Sequence, residues 1–359
     1  MKKAVLILFL VLVMGAIAAT AGVYLWVNQS VSTPQAHAHA RETFIIEPRT
    51  STSTIISRLH RDGVLTSEWP MWIWMKTAAR GQSFKSGSYE FKSPISPLEI
   101  IGKLVRGEVT TRSVTIPEGY NQWDIAAKLA APLPGMNEPA PASPDAILAL
   151  FKSKVSLVRD LDSQATDLEG YLFPDTYEYT VSTTREQIVD AMVKRFRRVW
   201  TADWQQKARA MGMTTRQAVT MASLVEKEAR VDKEREIISQ VYHKRWKIGE
   251  KLACDPTVLY AAHLVGKMDN IVHRSDLDRD SPYNTYKRAG LPPGPIASPG
   301  KRSLEAALNP ASTNFLYFVV DATRRDGSHF FSEKSGDHDA AVGRYREWER
   351  EQASGGTQK

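Results

Sequence analysis

A single cysteine, Cys254, in a chain of 359 residues excludes an internal disulfide. It does not fix the redox compartment, because an oxidising space does not require disulfides. Zinc-finger spacing, RNA-binding motifs and long Lys/Arg blocks are all missing, so nothing singles out nucleic acid as a partner. His329 and His338 stand at no metal-ligand spacing, and no zinc site is expected. Charge is absent from residues 4–26, and neither Pro nor Gly interrupts residues 214–230. Those last two absences mark the membrane end and the central helix of the chain.

What is present is a globular composition with a basic excess. Lys and Arg number 47 against 40 Asp and Glu, a net charge of +7. That balance suits anionic surfaces such as membrane lipid or an acidic polymer. The uncharged run 4–26 is long enough, as a helix rising ~1.5 Å per residue, to cross a bilayer core of ~30 Å. Lys2 and Lys3 precede it and favour a cytoplasmic N-terminus, while Tyr24 and Trp26 suit the outer interfacial belt. A cleaved signal peptide is the rival, with small residues at Ala18, Ala19 and Ala21. The run is long for such a peptide, and residues 1–26 are read as an anchor. Both readings put the body outside the cytoplasm. Residues 27–43 read as a polar tether, and His37 and His39 as exposed residues within it rather than metal ligands.

Residues 44–46 give a strand signal, 54–60 a helix with Ile55, Ile56 and Leu59 inward, and 69–79 a Trp-rich helix. Trp69, Trp72 and Trp74 could stack on sugars, although such a cluster more often builds core. A strand at 87–91 and a helix at 98–105, ended by Gly107, follow. Ile46, Ile55 and Leu59 recur at the same spacing as Ile116, Ile125 and Leu129, and Arg58 matches Lys128. The repeated strand–loop–helix resembles the small β-α modules of the LysM type, which bind glycan. A structural duplication without a binding role fits equally. Residues 44–112 are taken as one LysM-like module. Residues 113–145 are taken as a second β-α unit with a Pro/Ala-rich linker, and the catalytic part is expected at 146–348. Residues 349–359 read as a disordered tail.

The most informative helix spans 214–230. Thr214 and Gln217 form a capping box ahead of it. Ala218, Val219, Ala222, Val225 and Ala229 share one apolar stripe. Glu226 falls within that stripe, roughly 60° from its centre, and Glu228 well off it, toward water. A carboxylate on a buried helix face is costly unless paired or neutral. Glu226 is therefore either a candidate acid or a buried glutamate paired with an arginine or capping a loop. Basic helices at 185–200 and 202–210 precede it, and Asp232 caps another running to Trp246. Strands are expected at 315–321 and 328–332 around a turn, and a last helix at 342–351.

Around that helix lie segments dense in Pro, Gly and aromatics, a composition that stiffens irregular backbone. They are Leu168-Glu-Gly-Tyr-Leu-Phe-Pro-Asp-Thr-Tyr177, Asp255-Pro-Thr-Val258, Tyr283-Asn-Thr-Tyr286, Gly290-Leu-Pro-Pro-Gly294 and Ile296-Ala-Ser-Pro-Gly300. With Ala222-Ser-Leu-Val-Glu-Lys-Glu228 and Asn309-Pro310, in this order and spacing, the chain resembles the YceG-like family of endolytic murein transglycosylases. The resemblance runs from the anchor to Tyr345. It implies an inner-membrane enzyme with a periplasmic catalytic domain, of α+β class. It would cut the MurNAc–GlcNAc bond of nascent peptidoglycan internally and limit strand length. The attack by the muramic 6-hydroxyl would leave a 1,6-anhydro end, without metal or cofactor. It also implies peptidoglycan synthases, the penicillin-binding proteins, as partners. The family's acid/base glutamate falls on Glu226, and such an acid needs a raised pKa, for which the apolar stripe gives a reason. Candidate substrate contacts are Glu169, Asp255, Tyr283, Asn284, Thr285 and Tyr286. Asp255 reads equally as the start of a turn, and the loop residues as internally bonded. One departure stands out: Ala253-Cys254 replaces the Gln-Thr or Gln-Ser usual before Asp-Pro-Thr. Two other functions stay open, a hydrolase using Glu226, Asp255 and water, and a non-catalytic glycan-binding scaffold of a synthase complex.

Overall fold

The computed structural model describes residues 2–355 except Arg41, Ala142, Asn270 and Arg325. The architecture is mixed α+β, rich in helix, with three two-stranded sheets among the described residues. The chain divides into two units. Unit 1 comprises Met1–Ser113, Pro134–Glu138 and Glu178–Thr183, and unit 2 comprises Val114–Leu133, Pro139–Tyr177 and Thr184–Lys359.

Unit 1 begins with α1 (Lys2–Ser32), whose segment Lys3–Ser32 contains an 18-residue window of mean hydropathy 2.7 and is long and apolar enough to cross a membrane. The boundary expected after residue 26 falls inside this helix. Val27 and Val31, one turn apart, are buried, and α1 packs on two later helices of the unit, so apolar cover carries the helix onward. The expected tether is also tied down. Gln35 exchanges two backbone hydrogen bonds with Ile95, at 2.8 and 3.0 Å, and the His37 amide donates to Ser93 Oγ at 2.8 Å. His39 meets Glu42 at 2.9 Å.

Next come β1 (Thr43–Ile46), α2 (Thr52–Arg61), α3 (Trp69–Lys76), β2 (Gly87–Glu90) and α4 (Pro97–Arg106). β1 and β2 pair antiparallel, Thr43 opposite Glu90. Ser51 caps α2, and Ser96 with Glu99 forms a capping box on α4, which Gly107 ends in the left-handed conformation. Ile55, Leu59, Met71, Tyr89, Ile100 and Leu104 form the core between them. Trp69 and Trp72 depart from the core expectation. They lie edge to face, 6.0 Å apart, on the surface.

β3 (Arg112–Thr115) pairs with β4 (Thr176–Tyr179). Unit 2 holds α5 (Gln122–Ala130), α6 (Pro144–Ser153), α7 (Arg185–Val199), α8 (Ala202–Ala210), α9 (Thr215–Glu228), α10 (Arg235–Lys247), α11 (Asp255–His263), α12 (Arg274–Leu277) and α13 (Lys301–Leu308). α5 lies in this unit with residues 114–133, while residues 134–138 of the Pro/Ala-rich stretch lie in unit 1. The antiparallel hairpin β5 (Tyr317–Val320) and β6 (His329–Ser332) follows, and α14 (Ser335–Gly355) packs on it. α14 begins earlier than 342 and continues past 349, where a tail was expected; residues 356–359 lie outside the described residues.

α9 is the centre of unit 2. Its Thr214–Gln217 capping box forms as the sequence predicts. Every residue from Ala218 to Val225 is buried, because α8, α10, α11 and α13 all pack on it. The loop 168–177 is fixed against α9 by Gly170. Its φ is +82°, and a Cβ there would overlap Pro295 and press on Val219. Beneath the loop, Asp162 accepts from Tyr171 Oη at 2.8 Å and from Arg216 at 2.6 Å.

Candidate functional site

The last turn of α9 is the partially negative end of a long buried helix, a poor place for a lone carboxylate. Glu226 sits there with its side chain only 7% exposed. Donors meet both of its oxygens. The Gly300 amide, at the N-cap of α13, donates to Oε2 at 2.9 Å. Arg235 Nη2 donates to Oε1 at 3.4 Å. Arg235 is itself fixed by Asp232 and by Ser303 Oγ, the latter at 3.0 Å.

A second carboxylate approaches from far away in the chain. Pro117-Glu118-Gly119-Tyr120 links β3 to α5, and its backbone is clamped to the 296–300 segment. Gly119 N–H donates to the Ser298 carbonyl at 3.0 Å, and Ser298 N–H to the Tyr120 carbonyl at 2.8 Å. Lys227 Nζ donates to the Gly119 carbonyl at 3.2 Å. This brings the Glu118 carboxylate over Gly300, where a Cβ would overlap it. Glu118 is open to solvent on one side, but its carboxyl is raised above the ordinary range. Partial burial is the first cause and the charge of Glu226 the second, against Arg235 and Arg302.

The two carboxylates border one cavity of about 440 Å³. Asn121, Lys227, Tyr260 and His263 complete its polar wall. Such a cavity is in the size range of small-ligand and sugar sites. Asn121 also caps α5, accepting from the Trp123 and Asp124 amides at 3.0 Å. Trp123 packs on both Tyr260 and His263, at 5.1 and 5.5 Å between ring centres, which fixes that wall.

The other residues singled out by sequence go elsewhere. Glu228 does not face water. Its carboxylate accepts from Tyr242 Oη at 3.1 Å and meets the Cys254 thiol, and burial raises its pKa. The single-stripe reading failed here because α10, which carries Tyr242, packs on the side of α9 that it left to water. Cys254 is buried, its amide donates to Thr285 Oγ1 at 3.0 Å, and its thiol is the group of the unusual 253–254 pair that meets Glu228. Ala253 takes a φ of +52°. Asp255 does not merely start a turn but begins α11, with Pro256 in the first turn. It accepts from Tyr286 Oη at 2.6 Å. Asn284 is buried and donates to the Leu277 and Arg279 carbonyls, at 3.0 and 2.9 Å. Thr285 is buried against Thr257 at 2.9 Å. Both therefore do the work of an internally bonded loop. Tyr283 packs on Tyr260 with ring centres 4.9 Å apart and the rings tilted by 40°. Glu169 is buried under α5, accepting from the Gln122 amide at 2.9 Å and from Tyr260 Oη at 3.2 Å. Of the predicted residues, only Glu226 borders the cavity itself.

The residue that sequence reasoning missed is Glu118. Its local signal is a short Pro-Glu-Gly-Tyr break between a strand and a capped helix. Among the described residues, no group of three His, Cys, Asp or Glu is placed to hold a metal ion.

The chain matches the YceG-like family over residues 44–344. It is 33% identical over 303 residues to the endolytic murein transglycosylase of Bacillus subtilis (strain 168), with 82% of each chain covered. It is 31% identical over 280 residues to the endolytic murein transglycosylase of Streptococcus pneumoniae serotype 2, covering 72% of this chain and 50% of that one. Among solved structures, a YceG-like protein of Listeria monocytogenes is similar with a TM-score of 0.56 and 30% identity, over 83% of this chain and 97% of that one.

Proposed function

Since the chain belongs to the YceG-like family, we propose that it is an endolytic murein transglycosylase in which Glu226 is both the acid and the base. The observation that carries the assignment is the placement of Glu226, a nearly buried carboxylate on an open cavity with donors fixed on both oxygens. Glu226 gives its proton to the bridging oxygen as the bond from muramic C1 to that oxygen breaks. Positive charge then develops at C1 and the ring oxygen. The muramic 6-hydroxyl attacks C1 and its proton returns to Glu226. The products are a 1,6-anhydro end and a free 4-hydroxyl, with no water consumed. The Gly300 amide and Arg235 suit the carboxylate that exists between the two proton transfers, and they hold its lone pairs toward the sugar.

The same reading sets α1 in the cytoplasmic membrane with its N-terminus inside and the chain that follows α1 outside, supported by Lys2 and Lys3 ahead of the apolar run. Unit 1 acts as a LysM-like glycan module. Its β1–α2–α3–β2 order and antiparallel strand pair support that role, as do the exposed Trp69 and Trp72. Peptidoglycan synthases are the partners that such an anchored enzyme would meet. Mass spectrometry of isolated glycan strands digested by the full chain in detergent micelles tests the reaction. Anhydro ends are expected, appearing with an early fall in strand length. The Glu226→Gln protein should lose about 10²–10⁴-fold in rate while staying folded. Free reducing ends in place of anhydro ends would identify a hydrolase.

A further inference from the structure

We infer that Glu118 is a positioning residue for this reaction, placing a second negative charge beside Gly300 so that one proton stays in the site for Glu226 to donate. The inference rests on the assignment of Glu226 as acid and base. Two facts of geometry carry it. Gly300 lies between the two glutamates, its amide on Glu226 and its Cα under the Glu118 carboxylate, with no room for a side chain. The loop bearing Glu118 is held there by two backbone bonds and by Lys227, so the approach is built rather than incidental. A carboxylate that faces a second carboxylate across one glycine is repelled by it when both are ionised, so the charge of one favours the protonated form of the other. The raised carboxyl of Glu118 fits that arrangement.

The charged groups around the pair come from every packed element. Arg235 reaches Glu226 from α10, Lys227 lies on α9 itself, and Arg302 approaches Glu118 from α13. Asp232 neutralises part of both arginines. Asp124 and His263 face the same cavity from α5 and α11. Of these, Arg302 is exposed and its charge weakens the hold of Glu118 on a proton.

The test is the pH dependence of kcat for anhydro-end formation by the full chain in micelles, between about pH 4.5 and 9. Glu118→Gln removes the charge and keeps the shape. Its alkaline limb should move toward acid by about one pH unit. Activity at pH 8 should then fall roughly tenfold and recover to within about threefold at pH 5, with KM little changed. Arg302→Gln should move the same limb the other way. A structural role for Glu118 predicts an equal loss at every pH, and that outcome overturns the inference, as does an unshifted limb in both variants. Glu226→Gln serves as the control that separates the two ideas. If it is inactive while Glu118→Gln follows the wild-type profile, only the role of Glu118 fails. If Glu226→Gln remains active, the acid/base assignment fails first.

Discussion

Glu169→Gln should make the protein more stable at alkaline pH and leave it nearly unchanged at pH 5. Glu169 is buried, with Oε2 bonded by the Gln122 amide and Tyr260 Oη and with Oε1 lacking a partner among the described residues. Burial pushes its carboxyl up to about 8 from the ordinary 4.5, against the Gln122 amide and with help from the charge of Asp167. In the unfolded chain the group ionises near 4.5; in the folded chain it keeps its proton until about 8. Between those values the folded state binds the extra proton, so stability falls as pH rises and levels off above about 8. At about 1.36 kcal/mol per pH unit, the full span amounts to on the order of 5 kcal/mol. Glutamine keeps one acceptor for both donors and has nothing to ionise, so this decline should be missing from the variant. Urea unfolding of both proteins in the same micelles, at pH 5 to 9, reads the difference. A wild-type-minus-variant stability gap that stays constant across that range would refute the reasoning, since it would mean that Glu169 titrates alike folded and unfolded. The variant should also keep the wild-type KM, because Glu169 lies beneath α5 rather than on the cavity.

Gly170→Ala should lower the unfolding free energy by at least ~2 kcal/mol, combining a left-handed backbone with overlap against Pro295; a melting temperature unchanged from wild type would contradict this. Glu228→Gln should keep the rate of anhydro-end formation within a few-fold of wild type, because its carboxylate is turned to Tyr242 and Cys254. Its stability should decline less than wild type as pH rises, since a carboxyl raised by burial loses its contribution in that direction. Loss of activity in a folded Glu228→Gln protein would move the chemistry to Glu228.

Elements with a free face and a cap were legible from sequence. The box at Thr214, the inward Ile55, Ile56 and Leu59 of α2 and the stop at Gly107 led to helices where they were expected. Periodicity reports the contrast between a buried and a wet face, so it gave a misleading answer for α9, which has no wet face until its end. Pro-rich stretches hid other elements. Asp255-Pro256 reads as a turn, although Pro suits the first turn of a helix as well, and there it begins α11. The irregular 290–300 segment gave no hint that its last glycine caps α13. Glu118 could not have been paired with Glu226 by any local rule, because 108 residues separate them and only the folded loop clamp brings them together.

Two glutamates two residues apart on α9 point to opposite sides, roughly 200° around the helix axis. In the middle of the helix both directions would be buried, and two unpaired carboxylates would be intolerable. At the last turn the surroundings divide. One side meets Tyr242 and Cys254, which solvate Glu228 with neutral donors where the packing of α10 half-buries it. The other meets the cavity, where Glu226 faces an amide, an arginine and a second carboxylate. Identical side chains thus acquire different tasks from their environments. What allows the second environment is Gly300. Glu226 needs its amide and Glu118 occupies the space of its missing side chain, so any larger residue would push one carboxylate out of the site. The glycine-ended segment 296–300, the break at 117–120 and the end of α9 are therefore parts of one site, joined at a residue whose contribution is the absence of a Cβ.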